Sequence, residues 1–499
     1  MEREQIRISV RNLVEFILRS GDIDNRRASL DTMEAMQAGS RLHRKIQKKM
    51  GSTYHAEVPL NIIIEEENYE LGIWGRADGI IIEETVTIDE IKGVYLSLDL
   101  LEEPIKVHLA QAKCYAYIYG IQNDLQKINV QMTYGNLDTG DLKYFSYEYS
   151  MQQLQEWFSD LILKYKKWAD FQYEWRKKRQ ASIKELAFPF PYREGQKELA
   201  AGVYRTIARK KNLFIQAPTG VGKTISTLYP AIKAVGEGLG DKIFYLTAKT
   251  VTANVAKETL GILCEKGYRA KSVQITAKEK LCFCEKAECN PQHCEWAKGH
   301  FDRINDAVYD LWTSEDHYTR EILLEYAQKW QVCPFEFCLD LAVWTDGVIC
   351  DYNYVFDPNV YLKRFFGEGN NGKYIFLIDE AHNLVDRGRE MYSAFVCRED
   401  VLAVRQKIKN HSKSLYRALG KVNRQLLAME NDCEGYEVLE NPGAVSMSML
   451  QIMGELDKFL EEFAGEEVVD EILDFGPFYR FIWTGKKVLT YSKSQVELQ

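Results

Sequence analysis

The segment Ala217–Thr224, APTGVGKT, constrains this chain more than any other part of it. The apolar run NLFIQ (212–216) leads into it, and a helical pattern follows. Strand, glycine-bearing turn and helix in that order make a cradle for phosphate. Gly220 and Gly222 let backbone N–H groups approach phosphate oxygens, with Thr219 and Val221 between and beside them. Lys223 reaches the β and γ oxygens, and the Thr224 hydroxyl suits Mg²⁺. The first glycine of the general GxxxxGK[ST] pattern is replaced by Ala217.

A second segment, YIFLIDEAH at Tyr374–His382, reads as an apolar strand ending in two carboxylates. Asp379 is suited to hold Mg²⁺ through water, and Glu380 to activate or orient an attacking water. His382 is expected to couple nucleotide state to another motor domain. Phosphoryl transfer depends on such positioning and charge stabilisation rather than on covalent chemistry. Helicases commonly write the phosphate loop as A-x-T-G-x-G-K-T, so the alanine narrows the resemblance to them. Gln196, in FPYREGQ, resembles the helicase glutamine that reads adenine. The implied ligand is ATP with Mg²⁺.

A chain of 499 residues can hold several domains, and 46% hydrophobic with 27% charged residues is a globular composition. The N-terminus, MEREQIRISV, has no signal-peptide core, and no apolar run is long enough to span a bilayer. The expectation is a cytoplasmic protein of bacterial type, nucleoid-associated, with no membrane partner. A net charge of −9 does not exclude nucleic acid, because a local basic groove is enough for phosphate contacts. The run KYKKWADFQYEWRKK (164–178) reads as a solvated helix with an apolar stripe rather than as a binding patch.

Residues 1–150 read as α+β. Helical patterns cover Ser9–Leu18 and Asp31–Lys49. Strands follow at LGIWG, ADGIII and TVTIDEI, separated by Gly75 and by Glu83–Glu84, and a helix spans His108–Tyr119 with Gly120 as its C-cap. A long helix covers Met151–Arg179, and Phe188-Pro-Phe-Pro191 breaks the pattern. Strand candidates NLFIQAP, KIFYLTA, GVICDYN and KYIFLIDE then alternate with helices, as in a parallel α/β sheet. The rest, from about Leu384, is mainly helical.

Of 11 cysteines, seven lie between Cys282 and Cys350. Clustering of this kind points to a metal or iron–sulfur site rather than to disulfides. Cys282, Cys284, Cys289 and Cys294 sit close together, and Cys333 follows in QVCPF. Spacing alone allows an iron–sulfur cluster or zinc. Cys338 and Cys350 read as buried thiols.

The order of phosphate loop, cysteine cluster, DEAH and helical segment resembles the XPD/DinG branch of superfamily 2 DNA helicases. The stretches that carry the resemblance are KEKLC at Cys282, Cys289 with Cys294, CPF at Cys333, and DYNYVFDP at Asp351–Pro358. It implies a 4Fe–4S cluster on Cys282, Cys289, Cys294 and Cys333, with Cys284 as an extra thiol that leaves the first ligand open. It also implies a helical arch after DEAH. LTAKT at Leu246–Thr250 resembles a segment that contacts the DNA backbone, through Lys249 and Thr250. The implied partner is DNA, single-stranded or forked.

A second constellation lies near the N-terminus: His43 in GSRLH, Asp78 in GRADGI, Glu90-x-Lys92 in DEIK, and Gln111 with Tyr115 at i,i+4 on one helix face. A hairpin would bring Asp78 and Glu90 together, and such a carboxylate pair can hold Mg²⁺ or Mn²⁺ while Lys92 stabilises developing charge. The set resembles the RecB-type nucleases of the PD-(D/E)xK, restriction-endonuclease-like fold. There His43, Asp78 and Glu90 would bind metal, Lys92 assist the water, and Gln111 and Tyr115 support DNA contact. The departure is the lack of a literal Pro-Asp.

The expected organisation is α/β multidomain. It comprises a RecB-like nuclease domain (1–150), a helical linker (151–184), a RecA-like ATP-binding domain (185–280 and 341–384) interrupted by an iron–sulfur domain (281–340), and a helical arch (385–499). No S-A-T segment or Q-x-x-G-R-x-x-R follows. The expectation is therefore a fragment of a longer chain that carries the second motor domain. The alternative is an ATP-gated DNA-binding module with an inactive nuclease fold and no unwinding of its own.

Overall fold

The computed structural model describes residues 3–25, 33–95, 97–137, 139–218, 220–358, 360–367, 372–439 and 443–463, with scattered positions from 469 to 484. The chain divides into two compact units. One comprises residues 1–350 and 371–377, and the other residues 351–370 and 378–499.

The first unit opens with β1 (Glu4–Ser9), α1 (Val10–Ile17), α2 (Met33–Gln47), β2 (Tyr54–Glu65), β3 (Tyr69–Ile81), β4 (Thr87–Val94), α3 (Lys106–Gln122), β5 (Lys127–Asn136), β6 (Leu142–Ser150) and α4 (Met151–Glu185). It continues through α5 (Gln196–Ala208), α6 (Lys223–Gly236), β7 (Lys242–Thr247), α7 (Thr250–Glu265), β8 (Ser272–Gln274), α8 (Lys278–Leu281), α9 (His300–Ser314), β9 (His317–Tyr318), α10 (Arg320–Lys329), α11 (Pro334–Trp344) and β10 (Gly347–Asp351). After α12 (Asn353–Phe356) and α13 (Lys363–Phe366), β11 (Tyr374–Ile378) returns to the sheet of the first unit. The second unit is helical beyond that point: α14 (Leu384–Met391), α15 (Arg398–Ile408), α16 (Lys413–Asp432) and α17 (Ala444–Glu462).

Two sheets organise the first unit. The six-stranded sheet has the order β1-β3-β4-β5-β6, with β2 also paired to β3. The five-stranded sheet has the order β11-β7-β10-β8-β9, and its β10–β8 and β8–β9 ladders are parallel. Strand β3 is forked in its pairing. Residues 69–74 run parallel to β1, residues 79–81 run antiparallel to β4, and β2 lines the other side throughout. Asp78 falls at the fork, where one neighbour ends and the next begins.

Helix α4 ties the two sheets together. Ser150 and Gln153 form a capping box at its start. Trp168, 1% exposed, meets Phe16 of α1 at 4.8 Å, Tyr309 and Trp312 of α9 at 5.0 and 5.8 Å, and Trp344 of α11 at 4.6 Å between ring centroids. Within its basic run Lys166 pairs with Glu66 and Asp170, Lys167 with Asp306, and Arg176 with Glu4. Near its end, the buried Asp346 carboxylate accepts from Trp175 Nε1 (2.8 Å), Arg179 Nη1 (2.6 Å) and the Lys271 N–H (2.8 Å).

Three sequence expectations are corrected. NLFIQAP is not a strand. Residues 211–218 have no regular structure, and Phe214 is 93% exposed. Apolar composition alone does not make a strand, which needs a backbone partner, and this run pairs with none of the described strands. Gly75 does not break β3. It makes room for the Tyr115 ring, which would lie 2.6 Å from an added Cβ. Gly120 is no C-cap but lies inside α3, where a Cβ would stand 2.3 Å from Met151 Sδ. The strand β2, paired along its length with β3, was not anticipated.

The aromatic junction gives a direct test. Replacing Trp168 with Ala is expected to destabilise the protein by about 3–5 kcal/mol in denaturant titrations. A loss below about 1 kcal/mol would show that the junction is not a core.

Candidate functional site

Side chains alternate across a strand, so the adjacent acids Asp89 and Glu90 face opposite sides of β4. Asp89 is fully buried and spent on structure, accepting from Thr133 Oγ1 (2.5 Å), Gln131 Nε2 (3.1 Å) and the Tyr54 hydroxyl (3.1 Å). Glu90 points the other way, toward Asp78. The register sets Gly79 opposite Asp89 and hence Asp78 opposite Glu90, as the hairpin expectation required. Asp78 Oδ2 accepts from the Ile91 N–H at 2.9 Å, which fixes the carboxylate across the fork.

His43, on α2, brings Nδ1 to 3.5 Å from Asp78 Oδ1, and that carboxylate pushes the imidazole pKa upward against its burial. A third ligand comes from Glu57, which the sequence reading missed. Ligand atoms of His43, Glu57 and Asp78 lie within 4.8 Å of one another, a spread one cation can span. Glu57 stands in β2 where the register runs past Asp78, and its φ of 57° is rare for a residue with a side chain. Gln47 Nε2 donates to it at 3.1 Å and Arg76 pairs with it at 2.6 Å. The signal available in the sequence was an acid on a strand before GRADG, and that signal is weak because the strand itself was not recognised.

Glu90 lies outside that 4.8 Å group, so the three ligand atoms that converge are those of His43, Glu57 and Asp78, with Glu90 beside them. It is 1% exposed, and Lys92 Nζ sits 2.8 Å from its Oε1 and draws it inward. Its Oε2 has no hydrogen-bond partner. Burial pushes the Glu90 carboxyl up to about 8, against the pull of Lys92. Lys92 is held in turn by Gln111 Oε1 at 3.2 Å, and Gln111 Nε2 lies 3.4 Å from the Tyr115 hydroxyl. Gln111 and Tyr115 are 9% and 3% exposed, so their polar groups orient Lys92 rather than face a DNA strand as expected.

At the phosphate loop, Gly220 and Gly222 have φ of 81° and 75°, as a loop that turns its N–H groups inward requires. Gly222 caps α6, which begins at Lys223 and continues through Thr224. The Lys223 ammonium is 3.4 Å from the Ala217 carbonyl. Gln196 is buried against the loop, donating to the Val221 carbonyl at 3.1 Å and accepting from the Arg193 N–H at 3.0 Å. Arg193 also donates to the Gly220 carbonyl. Thr219 lies outside the described residues. Lys249 is the exposed N-cap residue of α7, and Thr250 is the first residue of that helix.

The DEAH segment belongs to the second unit. Glu380 has a φ of 50°, and its Oε2 is 3.4 Å from His382 Nδ1. The buried Tyr352, from DYNYVFDP, donates to the carbonyls of Asp379 and Glu380. Arg387 pairs with Asp351 at 2.8 Å. The two sequence segments are thus one local structure.

The cysteines converge. Cys289, Cys294 and Cys333 share a buried core with Ile23 and Ala297, and Cys284 packs against it. Cys284 Sγ is 3.9 Å from Cys294 Sγ. Cys282 closes the short helix α8, next to Cys284. Cys333 stands at the N-terminus of α11; burial pushes its thiol up to about 11, against the backbone N–H groups of Glu336 and Phe335 that favour the thiolate. The Lys278 ammonium is raised by Cys289 and Cys333 beside it, and so offers charge compensation. Among the described residues no three of these sulfurs fall within 4.8 Å of one another, wider than the roughly 3.8 Å edge of a tetrahedron with Zn–S bonds of about 2.3 Å. The Cys284–Cys294 separation of 3.9 Å is close to that edge, and an all-sulfur donor set is compatible both with zinc and with a multi-iron cluster. Cys338 and Cys350 are buried, as expected.

Residues 261–401 match the family model DEAD_2. The chain is 33% identical over 101 residues to the Fanconi anemia group J protein homolog of Gallus gallus, covering 20% of this chain and 7% of that protein. It is 23% identical over 238 residues to the general transcription and DNA repair factor IIH helicase subunit XPD of Arabidopsis thaliana, covering 40% of this chain and 31% of that protein. A solved XPD helicase aligns with 59% of this chain and 51% of its own at 18% identity, with a TM-score of 0.38, too loose a fit to carry an argument. The chain thus spans less than a third of the length of these curated relatives. The DEAD_2 model and the two named relatives are therefore similar to parts of this chain only.

Proposed function

We propose that the chain is the ATP-binding part of an XPD/DinG-type DNA helicase, fused to a metal-dependent DNA nuclease of RecB type. It would act in DNA repair or recombination in a bacterial-type cytoplasm, on single-stranded or forked DNA. In this reading residues 1–150 are the nuclease, 185–280 and 341–384 the motor domain, 281–340 a 4Fe–4S module, and 385–499 the arch. The observation that carries the nuclease half is the fork in β3, which gathers Asp78, Glu57 and His43 beside a buried Glu90–Lys92 pair.

In the nuclease site His43, Glu57 and Asp78 would hold Mg²⁺ or Mn²⁺, with Glu90 Oε2 as a further ligand. Such an ion polarises a phosphodiester and makes water a better nucleophile near neutral pH. Gln111 and Glu90 hold the Lys92 ammonium in place to stabilise charge developing on the phosphate. In the motor, Gly220, Gly222 and Lys223 would cradle the ATP phosphates, Thr224 and Asp379 the Mg²⁺, and Glu380 the attacking water. Gln196 supports the loop through the Val221 carbonyl. Cys289, Cys294 and Cys333, with Cys282 or Cys284, would hold the cluster.

The two activities should separate. Lys223→Ala is expected to lower DNA-stimulated ATP hydrolysis by about 100-fold or more while leaving Mn²⁺-dependent DNA cleavage intact. Asp78→Ala and Lys92→Ala should do the reverse, with cleavage falling by about 100-fold or more. Unchanged cleavage in both variants would reject the nuclease and favour a domain that only grips DNA.

Metal affinity should follow pH. An ion can take Glu90 only as the carboxylate, so below about pH 8 each binding event displaces a proton. Mn²⁺ affinity measured by calorimetry should therefore rise with pH, by up to about tenfold per unit, and level off above that value. The raised imidazole of His43 steepens the acid side. Glu90→Gln should flatten the rise; an equally steep profile in that variant would remove Glu90 from the site.

A further inference from the structure

The segment that leaves α1 is built into the thiol module. Arg19 Nη1 pairs with Asp340 Oδ2 at 2.9 Å, and its Nε donates to Asn305 Oδ1 at 2.8 Å. Asn305 Nδ2 donates back to the Phe16 carbonyl at 2.6 Å. Gly21, at φ 92°, turns so that its N–H meets Asp302 Oδ1 and its carbonyl accepts from the Phe301 N–H, both at 2.9 Å. The Gly299 N–H donates to Asp22 Oδ1 at 2.6 Å. Two backbone bonds of 2.9 Å finish the attachment, Ile23 N–H to the Ala297 carbonyl and Asn25 N–H to the Cys289 carbonyl.

These bonds place the Ile23 side chain, 8% exposed, in one core with Cys289, Cys294 and Cys333. Each cysteine in that core is 7–8% exposed as a residue. Ile23 is the member of this core that comes from the N-terminal part of the chain, some 260 residues ahead of the cysteines. Solvent access and the surrounding hydrophobic shell govern the lability and potential of iron–sulfur sites.

We propose that Arg19–Asn25 is the cover of the thiol site: Ile23 keeps water from the thiolates, and the N-terminal part of the chain thereby sets how long a bound cluster survives. This rests on the reading of the cysteines as cluster ligands. The cover is held at both ends, by the Arg19–Asp340 pair and by the Asn25–Cys289 bond, so either anchor can be weakened without touching a cysteine.

The test is the rate at which iron passes to a chelator from anaerobically purified protein, followed as loss of visible absorbance. Ile23→Ser and Arg19→Ala should start with the wild-type content of iron and acid-labile sulfide and release iron about 10-fold faster. Arg19→Ala keeps Ile23 and guards against a folding defect in the first variant. Ile63→Ser, at a residue 55% exposed on β2, should match the wild type. Equal release from all four proteins, with normal iron and sulfide, overturns the cover alone. A wild-type chain that carries zinc and no sulfide overturns the cluster reading and the proposal with it.

Discussion

The Asp346 carboxylate is the joint on which the first unit depends. It is 8% exposed and accepts hydrogen bonds from Trp175 and Arg179 of α4 and from the backbone leading into β8. A buried carboxylate is tolerable only when its lone pairs are satisfied, so losing one donor costs more than the bond itself contributes. Upstream on the same helix, Trp168 packs among aromatics of α1, α9 and α11, and Asp170 accepts from Tyr69 of β3 at 2.7 Å. One 35-residue helix therefore fixes the carboxylate site, the thiol site and the phosphate-loop sheet within a single compact unit.

That arrangement gives the thiol module a structural meaning beyond its ligands. Its helices α9 and α11 are held both by the Trp168 junction and by the segment after α1, with Phe16 common to the two. Cys289, Cys294 and Cys333 then share a core with Ile23 from the segment that leaves α1. Helix α11 runs from its cap at Cys333 to Trp344, whose ring meets Phe16 of α1 at 5.3 Å between centroids.

Much of this was legible in the sequence because it is written in local patterns. The hairpin that opposes Asp78 and Glu90 follows from period-two alternation, and the convergence of distant cysteines from their clustering. The helix over Met151–Glu185 follows from its apolar spacing, extended by one and a half turns. What was not legible depends on partners far along the chain. The run NLFIQ has the composition of a strand but no ladder. Glu57 becomes a ligand only because β2 runs beside β3 for its whole length. Gly75 and Gly120 read as punctuation, yet they are places where a neighbour's side chain needs the room. Gln111 and Tyr115 share a face as expected, but that face is turned inward to Lys92. Ile23 gave no signal at all, since nothing local ties it to cysteines more than 250 residues away.

The central claim is that the fork of β3 is a divalent-metal site built for phosphodiester chemistry. Anomalous scattering from crystals soaked in Mn²⁺ tests it most directly. A single strong peak bounded by His43, Glu57 and Asp78, with the Glu90 carboxylate turned toward it, is the expected result. Saturating Mn²⁺ that leaves this position without a peak, in crystals where the ion is seen elsewhere, would contradict it.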